Sequence, residues 1–261
     1  MTTPAASLDT APNTPAKPAS AWEDLVDIFT EPVAVFRRRR DGRFWLATLV
    51  VTLIGAATFY VARPVLRPAI ERQMSAQLEK MQADPNIPAE QKEALTNRIR
   101  GSVDSPFAIL FPALGIPVSL FVSALALWLV AKFFGSGASL GQAMAVTSVA
   151  AVPRMVIGLV VGAVSLALNR EVHTVYGATA SPAVLGPDAS FGLAAALSRL
   201  DLGVLWQTVL MGIGIALMGR LTRRGGEAVV EGQIAPAKGI TAAFIVWALA
   251  GLLTVGQVLN S

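Results

Sequence analysis

Residues 22–45 read WEDLVDIFTEPVAVFRRRRDGRFW, with the densest positive charge of the chain directly in front of its first long apolar run. A basic arm on a soluble scaffold would bind nucleic acid. A basic flank before an apolar segment instead holds that side of a membrane span in the cytoplasm. The residues that follow decide between the two. Between Phe44 and Arg63 no side chain is charged, and about 20 apolar residues suffice to cross a hydrocarbon core as a helix. Trp45 and Tyr60 stand near its two ends, where interfacial aromatics belong. The aromatics beside the arginines are thus part of a span, not base-stacking partners. Arg37, Arg38, Arg39, Arg40 and Arg43 read as topology determinants facing anionic lipid, and no nucleic-acid partner is expected.

Composition extends this reading to the whole chain. Of 261 residues, 54% are hydrophobic and only 15% charged, against about 25% charged in a typical soluble domain. Mean hydropathy is +0.58. The apolar residues come in blocks, which predicts an all-α polytopic bundle of membrane helices. Expected spans are 44–63, 106–134, 141–168, 202–219 and 240–258, together a five-span membrane domain over 44–258. Residues 1–20, rich in Ala, Thr, Pro and Ser, cannot bury enough apolar surface to order and read as a disordered cytoplasmic tail.

Residues 21–43 read as an interfacial amphipathic segment and basic run. Ser20 and Glu23 have the spacing of a capping box. Trp22, Leu25, Val26 and Phe29 share one helix face, with Asp24 and Asp27 on others, and Pro32 ends or restarts the helix. That apolar face suits either the bilayer surface or the protein's own loops. In 64–105, Leu66, Ile70, Met74, Leu78 and Met81 step at helical spacing. The run Asp84-Pro85-Asn86-Ile87-Pro88 signals a turn, and a second helix follows, making an outer helical hairpin. Ser105-Pro106 opens the second span as N-cap and first helical residue. Residues 169–201 read as a second outer loop and 225–239 as a cytoplasmic one.

Eleven Lys and Arg fall on the expected cytoplasmic side and nine outside. The number alone is a weak bias. The cytoplasmic ones, however, cluster at span ends, with Arg220, Arg223 and Arg224 directly behind the fourth span. This places the protein in the cytoplasmic (inner) membrane with the N-terminus cytoplasmic and the C-terminus outside.

The chain offers little chemistry. It has no cysteine, and its one histidine, His173, lies in an outer loop. No Asp or Glu sits within the apolar blocks, so paired intramembrane carboxylates and acidic proton relays are excluded. No catalytic, cofactor or metal set is expected. Arg154 is the exception, following Pro153 in the middle of the third block. A charge there costs about 2.5–3.5 kcal/mol on insertion scales, so it requires a partner. Three readings stand: the guanidinium satisfies carbonyls freed by Pro153; it binds an anion or lipid headgroup; or 139–152 form a half-helix that leaves it near the interface. Gly158 with Gly162, and Gly212 with Ala216, have the small-xxx-small spacing of close helix packing. They serve either intramolecular contact or a homo-oligomer.

Three stretches taken in order resemble the bacterial branch of the YIP domain family, the Ypt-interacting membrane proteins. They are WEDLVDIFTEPVAVF before the basic run, LALWLVAKFFGSGASLGQAMAVTSVAAVP across the second and third spans, and DLGVLWQTVLMGIGIALMG at the fourth. The resemblance covers about residues 20–258. It implies a cytoplasmic N-terminus and five helices. Eukaryotic members are linked to Rab GTPases and vesicle traffic, but a GTPase-binding role does not carry over to so short a tail. Two functions are expected to compete: a non-enzymatic membrane organiser or scaffold for unidentified membrane or cytoplasmic partners, and a small transporter or channel component with a site near Arg154.

Overall fold

A computed structural model describes residues 20, 22–83, 85, 88–104, 107–168, 179–185, 191–224 and 227–259. The disordered tail expected over 1–20 is thus almost wholly outside the described residues, as are His173, Ser105, Pro106 and Ser261. Among the described residues the helices are α1 (Glu23–Asp27), α2 (Pro32–Arg38), α3 (Trp45–Ala83), α4 (Ala89–Asp104) and α5 (Phe107–Phe133). They continue with α6 (Leu140–Ala167), α7 (Phe191–Ser198), α8 (Leu202–Leu217) and α9 (Pro236–Leu259). A hairpin of β1 (Arg220–Arg224) and β2 (Glu227–Glu231) lies between α8 and α9.

Four of these helices are long and apolar enough to cross a membrane: Trp45–Arg72 of α3, Leu114–Phe133 of α5, α6, and Pro236–Thr254 of α9. The fourth expected span is the shorter α8, of 16 residues. At 1.5 Å per residue it is about 24 Å long, less than the roughly 30 Å of a hydrocarbon core. Leu49, Leu53, Phe121, Val122, Leu252 and Leu253 are exposed on the outer faces of the long helices, where lipid supplies the contacts that a soluble core would otherwise give.

The helices pack through small residues. Thr48 and Ser148 share a hydrogen bond of 2.8 Å, and the two are 100 residues apart. Gly55 with Met155, Thr58 with Gly158, and Ala62 with Gly162 meet at the same separation. A constant offset in one direction means that α3 and α6 run parallel. Gly158 and Gly162 therefore bring α6 onto α3 within the chain. Gly212 and Ala216 do the same for α8 and α9, which run antiparallel: a β carbon built at Gly239 would lie 2.8 Å from that of Ala216. The buried core gathers around α6, with Met144, Val146, Val149 and Val152 against Leu210, Met211 and Ile215 of α8 and Leu127 of α5.

Two features depart from the sequence reading. The first span does not stop at Arg63. α3 runs on through Pro64 and Pro68 as one helix of 39 residues, about 58 Å. The first arm of the expected outer hairpin is thus the continuation of the span, and α4 is its second arm. A helix reaching water can lose the hydrogen bonds that two prolines remove, because solvent takes up the freed carbonyls. The second departure concerns the cytoplasmic loop expected over 225–239: Arg220, Arg223 and Arg224, expected to mark the end of the fourth span, lie on β1. β1 pairs antiparallel with β2, from Arg220 opposite Glu231 to Arg224 opposite Glu227 in register, so the ladder sets the opposite charges of Arg220 and Glu231 across from each other. Part of the loop expected over 225–239 is therefore strand.

Candidate functional site

Among the described residues, two regions gather polar contacts between distant elements. The first is the basic end of the bundle. Ser20 and Glu23 exchange the reciprocal bonds of the expected capping box: Ser20 N–H donates to Glu23 Oε2 at 2.9 Å, and Glu23 N–H to Ser20 Oγ at 3.3 Å. The chain then turns at Pro32, so that α2 folds back beside α1. This turn brings Asp24 and Asp27 to Arg38 and Arg39. Arg38 Nε donates to Asp24 Oδ1 at 2.7 Å, Arg39 Nε to Asp24 Oδ2, and Arg38 Nη2 to Asp27 Oδ2. The Asp24 side chain is only 3% exposed, so its charge depends on both guanidinium groups. Burial opposes the charge of Arg38, but hydrogen bonds to Asp27 and Asp24 and the charge of both carboxylates outweigh it and raise its pKa above the usual arginine value.

The basic run is thereby clamped to the bundle. Arg40 Nε donates to the carbonyl of Leu217 at 3.1 Å, at the C-terminus of α8, where a cation also meets the negative end of the helix dipole. Gln142 completes the joint. Its Nε2 donates to the carbonyl of Arg40 at 2.7 Å and to that of Gly219 at 2.9 Å. Gln142 also closes a capping box with Ser139 at the start of α6. Gly137 N–H donates to the carbonyl of Gly232 at 2.7 Å, so the turn before α6 holds the strand hairpin. Arg43, by contrast, is exposed and paired with its neighbour Asp41. Trp22, Val26 and Phe29 remain exposed, while Ile28, Val35 and Phe36 are fully buried. Of the expected apolar stripe, Trp22, Val26 and Phe29 thus face outward, whereas Leu25 packs against the core and helps to hold the segment to the protein.

The second region lies midway along α6, beside the start of α8. α6 is continuous through Pro153, so no half-helix ends there. Arg154 is 14 residues into a helix of 28, about 21 Å from its start. Its guanidinium reaches across to α8, where Nη1 donates to Oε1 of the buried Gln207 at 3.3 Å. The charges that act on it are the Asp201 carboxylate, which attracts, and Arg199, which repels. Asp201 caps α8, accepting from Val204 N–H at 3.0 Å. Arg199 Nη2 donates to the carbonyl of Trp247 at 2.9 Å, and the Trp247 ring N–H donates back to the Arg199 carbonyl at 3.1 Å. The guanidinium carbon lies 6.0 Å from the Trp247 ring centre, a cation–π distance. Burial lowers the Arg199 pKa.

Arg154, Arg199 and Asp201 share the wall of a cavity of about 520 Å³ between α3, α6 and the start of α8. Phe59, Leu66 and Met155 line its apolar side. Of the residues expected to matter, Arg154 lines this cavity, and Pro153 before it is buried. Gly158 and Gly162 border the same cavity through the α3–α6 contact, whereas Gly212 and Ala216 lie toward the basic end. Sequence reasoning missed Gln207, Asp201, Arg199 and Gln142. The polar residues within and before the fourth apolar block, Arg199, Asp201 and Gln207, were the available signal for this second region. Among the described residues, no group of three or more His, Cys, Asp or Glu stands close enough to hold a metal ion.

No curated protein and no solved structure matches the chain. Among known families, the Yip1 domain matches residues 26–231. That stretch begins in the amphipathic segment, takes in the clamped basic run and α3 to α8, and ends with β2. With its membrane-length apolar helices, the chain is a multi-pass membrane protein that belongs to the Yip1 domain family.

Proposed function

We propose that this protein is a non-enzymatic organiser of the membrane, presenting at its basic end a fixed platform to the bilayer surface and to a protein partner. One observation carries the reading. The N-terminal segment turns Trp22, Val26 and Phe29 outward while Asp24, Arg40 and Gln142 fasten it to the helix ends. An apolar face that is held rigidly loses little further entropy on binding. The strand hairpin beside it exposes Leu221 and Val229. In this reading the platform is cytoplasmic, the membrane is the bacterial inner membrane, and the C-terminus is outside, since clustered arginines stay in the cytoplasm.

The test uses a photo-crosslinking amino acid placed singly at Val26, at Leu221, and at Leu129 of α5 as a lipid-facing control, in native membranes. The expected result is lipid adducts at Val26 and Leu129 and a discrete protein adduct at Leu221. If Leu221 gives the same lipid adducts as Leu129, or Val26 gives none, the platform reading fails. A second reading, a small transporter or channel component, draws on the cavity beside Arg154. Solute uptake into vesicles carrying the purified protein, lost in Arg154→Gln, would support it over the platform.

A further inference from the structure

The cavity beside Arg154 has a composition that the platform does not use. Among the described residues, two guanidinium groups, Arg154 and Arg199, share its wall with one carboxylate, Asp201, which leaves these three with one net positive charge. Asp201 already accepts the capping bond from Val204 N–H, so part of its capacity is committed to α8. Arg154 retains accessible surface although it lies at the middle of a membrane-length helix. It also borders the cavity. Arg199 holds the Trp247 carbonyl through Nη2, and its Nε is buried without a hydrogen-bond partner. Cations at this depth are retained where they meet an anion or a water-filled space. Phe59, Leu66, Ile116 and Met155 line the apolar part of the wall, beside Thr58, Thr179, Ser198 and Thr254.

We infer that this cavity binds a phosphate group through Arg154, with Arg199 on the same wall. Guanidinium groups are suited to this chemistry, because their planar N–H donors match phosphate oxygens. A volume of about 520 Å³ is in the range of small-ligand sites. It holds a phosphate headgroup with the first part of an acyl chain against Phe59 and Met155, or a soluble phosphate ester alone. Gln207 is a positioning residue, holding the Arg154 guanidinium by its bond of 3.3 Å.

The experiment uses the full chain, delipidated in detergent, with three probes: phosphatidylglycerol, diacylglycerol, which lacks the phosphate, and inorganic phosphate. Binding is read by native mass spectrometry and by thermal unfolding. One phosphatidylglycerol per chain should be retained and should raise Tm, and diacylglycerol should do neither. Equal stabilisation by inorganic phosphate would assign a soluble ester; no effect from it would assign a lipid. Arg199→Gln and Arg154→Lys should each weaken binding by about tenfold or more. Arg220→Gln, on the exposed strand, should leave it unchanged. Arg154→Gln is a stricter variant, and if it does not fold, Arg199→Gln and Arg154→Lys decide. Equal retention of diacylglycerol and phosphatidylglycerol, or unchanged affinity in Arg199→Gln, would overturn the site. Failure of the Leu221 crosslink bears only on the platform and leaves the cavity site standing.

Discussion

Gly212 and Ile240 face each other so closely that a β carbon at position 212 would stand 2.6 Å from the α carbon of Ile240. The neighbouring atom is backbone, so no side-chain rotation relieves the contact. Gly212→Ala should therefore force α8 and α9 apart and destabilise the protein by about 1–3 kcal/mol, the usual cost of overpacking. Gly158→Ala is the contrast, since a β carbon there meets Thr58 Cγ2 at an ordinary 3.8 Å. Thermal unfolding in detergent measures both. Equal loss in the two variants would mean that the α8–α9 contact is not the tight one.

Gln142 makes a second separable contribution. Gln142→Leu removes its bonds to the carbonyls of Arg40 and Gly219 together with its half of the capping box. Buried carbonyls left without a donor cost about 1–3 kcal/mol. The expected sign of the damage is local: proteolysis between Arg40 and Phe44 should rise more than cleavage in 64–105. Uniform cleavage would argue against a joint at Gln142.

Asp24→Asn should release the N-terminal segment. It leaves the guanidinium groups of Arg38 and Arg39 without their shared carboxylate, and breaking a buried pair costs about 3–5 kcal/mol; partial exposure of the arginines, 19% and 17%, puts this case at or below the lower figure. Arg38 has a raised pKa. Its contribution is therefore fully present below the usual arginine value and is lost only as pH rises through the still higher folded value. Neutral to moderately alkaline pH should leave the segment docked in the wild type. A spin label at Val26, in a chain without native cysteine, reports this as mobility. Undocking of the wild type near pH 9 would contradict the assignment.

Arg154 and Gln207 are expected to be energetically coupled, and more strongly than Arg154 and Pro153. Arg154→Leu leaves the buried Gln207 side chain short of a donor, at about 1–3 kcal/mol. Adding Gln207→Leu should recover part of that loss, whereas adding Pro153→Ala should not. Double-mutant cycles read by unfolding compare the two pairs. Additive behaviour with Gln207 together with recovery by Pro153→Ala would instead support a guanidinium that satisfies the proline's freed carbonyls.

Topology is open to direct labelling because the chain lacks cysteine. With an impermeant thiol reagent on intact spheroplasts, Thr14→Cys and Gly226→Cys should be protected. Gln82→Cys, Gly186→Cys and Ser261→Cys should label. The reverse pattern at Thr14 and Ser261 would invert the proposed orientation.

Long apolar blocks and helix-end signals were legible in the sequence because each depends on neighbours within a turn or two. Phe44–Arg63 and the Ser20–Glu23 box are of this kind. The continuation of α3 past Arg63 was not, since Pro64 and Pro68 break helices locally and nothing in the neighbouring sequence shows that the freed carbonyls find other partners. The strand hairpin did leave a local trace. Gly225-Gly226 stands between RLTRR and EAVVE, a two-residue turn signal hidden by the weight given to the arginines as span flanks. The contacts Arg154–Gln207 and Gln142–Gly219 join residues 53 and 77 positions apart, and nothing local encodes them.

The parallel pairing of α3 and α6 has a consequence for how the protein is made. Parallel neighbours cannot form as a hairpin, and α5 must pass between them in chain order before α6 exists. During synthesis, the α3 surface that will receive Gly158 and Gly162 meets lipid or an insertion factor until some 100 more residues have emerged. Biogenesis of this fold therefore includes an interval in which its first membrane helix is inserted and oriented but lacks its main neighbour. A ribosome stalled between Phe133 and Leu140 would expose that intermediate.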